Sequence, residues 1–158
     1  MSYAQRKGMP EGTNWVANIY NGLDENAFKP NYQPQGRYLA YLGRIIEPKG
    51  LHLAIQAVKN YNQSAKPEER YILKIAGKHY AGSSKDIYWQ KRIKPQIDGK
   101  EIEYLGFVDN QVEKQALLGN ASALIVPSIF EEPFGIVMLE ALACGTPIIG
   151  LDSGAIPE

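Results

Sequence analysis

The sequence predicts a doubly wound α/β domain with a parallel, Rossmann-like sheet, and three observations carry that expectation. Short apolar runs alternate with helical stretches along most of the chain. The runs are continuously apolar rather than alternating, as strands covered on both faces must be. Several stop at a glycine or proline that opens a loop: Gly43-Arg44, Gly77-Lys78, Gly106-Phe107 and Pro127-Ser128. In such folds a ligand lies beyond the carboxyl ends of the strands, where strand order reverses.

Taken in order, Trp15 to Tyr20 is expected as a short strand closed by the turn Asn21-Gly22. Asp24 to Arg37 contains Pro30 and Pro34 and little apolar pattern, so it is expected to be a connector. Tyr38 to Leu42 is a strand. The loop from Gly43 to Gly50 then leads into a helix over Leu51 to Tyr61, whose Leu51, Ala54, Ile55 and Val58 share one face. A polar loop at Pro67–Arg70 precedes a strand at Tyr71–Ala76. A helix over Lys85–Lys94 is expected to stop before Pro95. Glu101–Val108 holds a strand ending near Gly106, and Asn110–Leu118 a helix capped by Gly119. Ala123–Val126 is a wholly apolar strand, Gly135–Ala143 a helix and Pro147–Leu151 a last strand. The division expected is 1–36 as N-terminal strand and connector, and 37–158 as one ligand-binding domain.

Composition narrows the partners. The 158 residues are 44% apolar, enough for a core in one domain. Seventeen Lys plus Arg balance seventeen Asp plus Glu, so no net field favours nucleic acid or an anionic membrane. No run nears the ~20 apolar residues of a membrane span, and Met1–Gly12 lacks the apolar core of a signal peptide. A single cysteine, Cys144, sits among apolar neighbours, fitting a reducing compartment and a buried hydrophobe. These features point to a cytoplasmic chain.

Two segments hold the chemistry. Between Glu132 and Asp152 the one charged residue is Glu140, inside a helix that reads as apolar on every side and therefore buried. A buried carboxylate needs donors: backbone amides, an arginine, or the paired hydroxyls of a ribose. Gly135 stands at that helix's start, where free amides and a missing side chain suit a phosphate, or where a glycine serves the turn alone. Glu132 precedes it in a loop within reach of sugar hydroxyls, while Glu131 reads as a solvated acid. The second segment, Gly43 to Gly50, offers Arg44 and Lys49 five residues apart in a glycine-flanked loop. A planar fork beside a point charge suits a diphosphate. There is no dinucleotide fingerprint and no P-loop, and His52 and His79 lack metal-ligand spacing, so no metal or other cofactor is expected.

In order and spacing these segments resemble the C-terminal domain of the retaining glycosyltransferases of family 4, a half of the two-domain GT-B architecture, from about Asn21 to Glu158. NGLDENAFKP resembles the inter-domain connector, YLGRIIEPKG the phosphate loop, EPFGIVMLEALACGTPIIG the Glu-x7-Glu segment followed by Gly-Thr-Pro, and GAIPE the next loop. The resemblance implies a hexose transferred from a UDP- or GDP-sugar to an acceptor hydroxyl, with retention and without metal. It assigns Arg44 and Lys49 to the departing diphosphate and Glu132 to the donor sugar. Phe134, Gly135, Ile136 and Val137 would meet sugar and phosphates, Glu140 the ribose, and Phe107 and Val108 the base, with Gly43 and Gly77 lining the donor cleft.

It further implies an N-terminal acceptor-binding domain as partner, through which any membrane contact would pass, and a fold incomplete at its C-terminus. The fragment alone is then expected to be inactive. A non-catalytic nucleotide-sugar-binding module and a sugar-nucleotide epimerase are the competing readings.

Overall fold

Five strands form one all-parallel sheet: β1 (Tyr38–Leu42), β2 (Ile72–Ala76), β3 (Ile102–Gly106), β4 (Ala123–Val126) and β5 (Ile148–Gly150). Their spatial order is β3-β2-β1-β4-β5, so direction of winding reverses between β1 and β4. The computed structural model describes residues 2–83 and 86–158. Among the described residues α-helices connect the strands at α1 (Leu51–Ser64), α2 (Gln111–Gly119) and α3 (Ile136–Ala143).

The period-two alternation of strands explains why the sheet needs apolar residues throughout. Ala40, Leu124 and Val126 point to the face holding Leu117 and Leu118 of α2 and Met138 and Ala141 of α3. Their neighbours Tyr41 and Ile125, with Leu73 and Ile75 of β2, point to the face holding Leu51, Ala54, Ile55 and Val58 of α1. The α1 stripe read from the sequence is buried in full. Leu73, Ile75, Ile93 and Leu124 have no exposed surface, each side chain contributing about 1.5–3 kcal/mol by burial.

Four expectations are corrected. Trp15–Tyr20 forms no strand. A strand exists only through a ladder partner, and here Val16 is 91% exposed while Tyr20 instead packs on Phe134 and donates its hydroxyl to Glu158. Residues 1–36 therefore contribute no strand among those described; a single 3₁₀ turn, Ala4–Arg6, is their regular element.

The helix expected over Lys85–Lys94 begins, at Lys85, outside the described residues. Beyond it the chain widens into a π-helical turn, Trp89–Ile93, and tightens into a 3₁₀ turn, Lys94–Gln96, that includes Pro95. Pro95 has no N–H to extend an α ladder, and the widened turn buries both Trp89 and Ile93. Gly119 is the last residue of α2 rather than its cap. Asn120 takes that position in right-handed geometry, its side-chain amide donating to the Ala116 carbonyl at 3.0 Å. Finally, α3 is not enclosed all round: Ile136 and Leu142 are exposed, on a helix beside the sheet's β5 edge.

The connector is laced to α2 and α3. Phe28 enters the core, Asn31 N–H donates to the Cys144 carbonyl at 2.8 Å, and Lys29 N–H donates to Gln115 Oε1 at 2.8 Å. Among the described residues no helix is long and apolar enough to cross a membrane.

Candidate functional site

The carboxyl ends of β1 and β4, either side of the winding reversal, lead into two loops that are held together. The β1 loop is shaped by its neighbours: Gly43 N–H donates to the Ala76 carbonyl and Ile45 N–H to the Lys78 carbonyl, at 3.1 and 2.9 Å. A 3₁₀ turn, Glu47–Lys49, aims Lys49 across the gap. The β4 loop returns to meet it, with Ile129 N–H donating to the Pro48 carbonyl at 2.9 Å.

Between these loops Lys49 Nζ lies 2.6 Å from Glu132 Oε2, which also accepts from Ser128 Oγ at 3.0 Å. Glu132 is 5% exposed. A carboxylate so buried is tolerable because a cation and a hydroxyl replace its water. Glu132 Oε1 has no hydrogen bond among the described residues, so one acceptor atom stays available.

Arg44 is exposed and makes no ion pair among the described residues. Its carbonyl accepts from the Tyr41 hydroxyl at 2.8 Å. Burial pushes the Tyr41 phenol well above its ordinary value, Tyr88 and the Glu132 charge add to this, and Arg44 opposes it.

Gly77 follows β2 directly, and a side chain there would fall 1.8 Å from the Gly43 carbonyl oxygen. The missing side chain of Gly77 lets the β1 and β2 exits touch backbone to backbone. Gly77 N–H donates to the Gly106 carbonyl at 2.8 Å, extending this contact to the β3 exit. There Phe107 is 56% exposed, whereas Val108 is buried in the core. Of the two residues expected beside a ligand, Phe107 alone offers a surface.

Gly135 occupies left-handed geometry, φ 74°, as N-cap of α3, with its absent side chain facing Met138 and Glu132. The first-turn amides of Ile136 and Val137 have no acceptor within the helix. Phe134 is half-buried just before them.

Glu140 is buried as expected, but its partner is one the sequence reading did not name: Lys114 of α2, 3.0 Å from Oε1. Glu140 pairs with neither Arg44 nor Lys49. Lys114 is the one cation of α2, but no local pattern ties it to Glu140 on α3. Ser128 was noted at a strand end without a role. Burial, reinforced by the Glu140 charge, pushes the Cys144 thiol up to about 11, so it stays protonated and unreactive near neutrality.

The histidines are engaged elsewhere. His52 Nδ1 meets the Tyr88 hydroxyl at 2.8 Å, and His79 Nδ1 meets Asp86 at 2.8 Å while stacking on Trp89. Among the described residues no cluster of three or more His, Cys, Asp or Glu could hold a metal ion. At the winding reversal the Lys49–Glu132 pair thus joins the β1 and β4 loops, with exposed Arg44 on the first loop and the N-cap of α3 three residues beyond Glu132.

Comparison with known proteins agrees with this fold. An uncharacterized glycosyltransferase of Methanocaldococcus jannaschii is 29% identical over 160 residues, covering 89% of this chain and 37% of that protein. A glycosyltransferase involved in avilamycin A biosynthesis superposes over 99% of this chain and 44% of its own, with TM-score 0.75 and 23% identity. An Anabaena protein solved in complex with UDP-glucose superposes over 87% of this chain and 38% of its own, with TM-score 0.67 and 22% identity. The chain thus spans about a third of the length of the curated relatives it matches. The family model described as glycosyl transferases group 1 matches residues 24–158, taking in both the Arg44–Lys49 loop and the Glu132–Glu140 segment, and the chain belongs to that family.

Proposed function

We propose that this domain binds the nucleotide-sugar donor of a retaining, metal-independent glycosyltransferase, which moves a hexose from a UDP- or GDP-sugar to an acceptor hydroxyl. The observation that carries the reading is the Lys49–Glu132 pair, which joins the β1 and β4 loops beside the N-terminus of α3. The UDP-glucose complex of the Anabaena protein, similar in fold, supports the choice of ligand.

In this reading Arg44, Lys49 and the amides of Ile136 and Val137 surround the diphosphate, and the free oxygen of Glu132 accepts from a sugar hydroxyl. The bond from the anomeric carbon to the phosphate oxygen breaks, and its electron pair stays on the diphosphate, where the cations stabilise the growing charge. The acceptor hydroxyl bonds to the anomeric carbon from the same face, and its proton passes to the departing phosphate oxygen. Glu140, held by Lys114, turns its second oxygen to the ribose. The acceptor is held by an N-terminal partner domain, which fits the share of its relatives that this chain spans.

Calorimetric titration with UDP-glucose and GDP-mannose tests this. Binding is expected, with Arg44→Ala weakening it about tenfold and leaving stability within about 0.5 kcal/mol, because the side chain is exposed. Unchanged affinity in Arg44→Ala and Glu140→Ala together would overturn it.

A further inference from the structure

Resting on that donor reading, we propose that Lys78 selects the nucleobase, donating to a ring carbonyl of uracil or guanine stacked on Phe107 and thereby disfavouring adenine. Lys78 follows β2 and Phe107 follows β3, neighbouring parallel strands whose carboxyl ends lie side by side. Lys78 Nζ stands 5.6 Å from the centre of the Phe107 ring. Lys78 is exposed and forms no ion pair among the described residues, and more than half of Phe107 is exposed. An exposed phenyl ring at the ligand end of a parallel sheet is a stacking platform, indifferent to which base it carries. A cation beside it is not indifferent.

The backbone under Lys78 is rigid, while its exposed side chain reaches over the Phe107 ring. Its carbonyl accepts from Ile45 N–H at 2.9 Å. The preceding Gly77 carbonyl accepts from the Tyr104 hydroxyl at 2.9 Å, and Gly77 N–H donates to Gly106. On the other side His79 is fixed by Asp86 and by Trp89, whose ring lies parallel to it 4.3 Å away. A long cationic side chain on a backbone pinned at both flanking residues is pre-organised for recognition.

Its place along the strand ends points to the base rather than to the phosphates. Across the strand ends the order is Phe107, Lys78, then Arg44 and Lys49, then Glu132 and the N-terminus of α3. A donor whose diphosphate lies over the β1–β4 reversal and whose sugar meets Glu132 puts its base over β2 and β3. Uracil and guanine carry a carbonyl oxygen where adenine carries an amino group. An ammonium facing that amino group sets donor against donor and loses a charge-assisted hydrogen bond.

The test is calorimetry of the full chain with UDP, GDP and ADP, for wild type, Lys78→Met, Lys78→Arg and Phe107→Ala. Lys78→Met is expected to weaken UDP and GDP about tenfold and ADP by less than about twofold. Lys78→Arg retains the preference, and Phe107→Ala weakens all three alike. Equal loss of all three nucleotides in Lys78→Met would assign Lys78 to the phosphates and overturn the proposal, as would no loss at all. Absence of any nucleotide binding by the wild type would instead remove the donor reading on which the proposal rests.

Discussion

Lys49 and Glu132, 83 residues apart in sequence, meet at 2.6 Å across the two loops that flank the winding reversal. Each is the cation or acid of a separate motif, and their meeting turns two sequence patterns into one place. Glu132 is the more buried partner, with 6% of its side chain exposed against 21% for Lys49.

Removing the cation strands the acid. Lys49→Met is expected to cost about 3 kcal/mol in urea denaturation, because an unpaired buried carboxylate remains. Lys49→Met combined with Glu132→Gln should recover more than half of that stability without recovering donor affinity. If the double variant binds a nucleotide sugar as the wild type does, the pair is structural and the site lies elsewhere.

The ribose assignment has its own signature. Glu140→Ala is expected to weaken UDP binding about tenfold, while a 2′,3′-dideoxy nucleotide should bind variant and wild type alike. Lys114 is less buried than Glu140, with 27% of its side chain exposed, so water can replace the lost partner and folding should suffer little. Equal weakening for both nucleotides in calorimetry would move Glu140 away from the sugar ring.

Gly77→Ala probes the touching strand exits. The new methyl group would meet the Gly43 carbonyl at 1.8 Å, and backbone on both sides resists movement. A loss above about 4 kcal/mol, or failure to fold, is expected by thermal denaturation. A variant as stable as wild type would mean that the β1 and β2 exits do not pack as described.

Acid stability should report on Asp98. Backbone amides of Ile102, Lys100 and Glu101 donate to its carboxylate at 2.9–3.0 Å and hold it below the ordinary aspartate range, against the opposing effect of burial. A carboxyl with a lowered folded-state pKa stabilises fully above its unfolded value and ceases to as pH falls through the folded one. Asp98→Asn is therefore expected to cost about 1 kcal/mol at pH 7, with the difference from wild type vanishing below the ordinary carboxylate range. A pH-independent difference in urea titrations would contradict this.

The sequence made the sheet legible where burial is complete. Ala123–Val126 is apolar without a break because both faces are covered, Ile72–Ala76 is interrupted by Lys74 alone, and α1 shows its buried stripe at helical spacing. It misled at Trp15–Tyr20, since local apolarity cannot say whether a partner strand exists. The site followed the same division. Arg44, Lys49, Glu132 and Gly135 were readable from loop chemistry at strand ends. Lys114 was not, because its pairing with Glu140 depends on how α2 and α3 pack, a relationship between helices that no local pattern encodes.

The central position of β1 also bears on how the chain is made. Leu39 is synthesised long before Ala123, its partner in β4. At about 5–20 residues per second, roughly 4–17 s separate the two on the ribosome. For that interval one edge of β1 presents unsatisfied amides and carbonyls beside apolar side chains. Assembly is therefore slow and exposed to misassociation, and recombinant yield should depend on translation speed and chaperone supply more than on the stability finally reached.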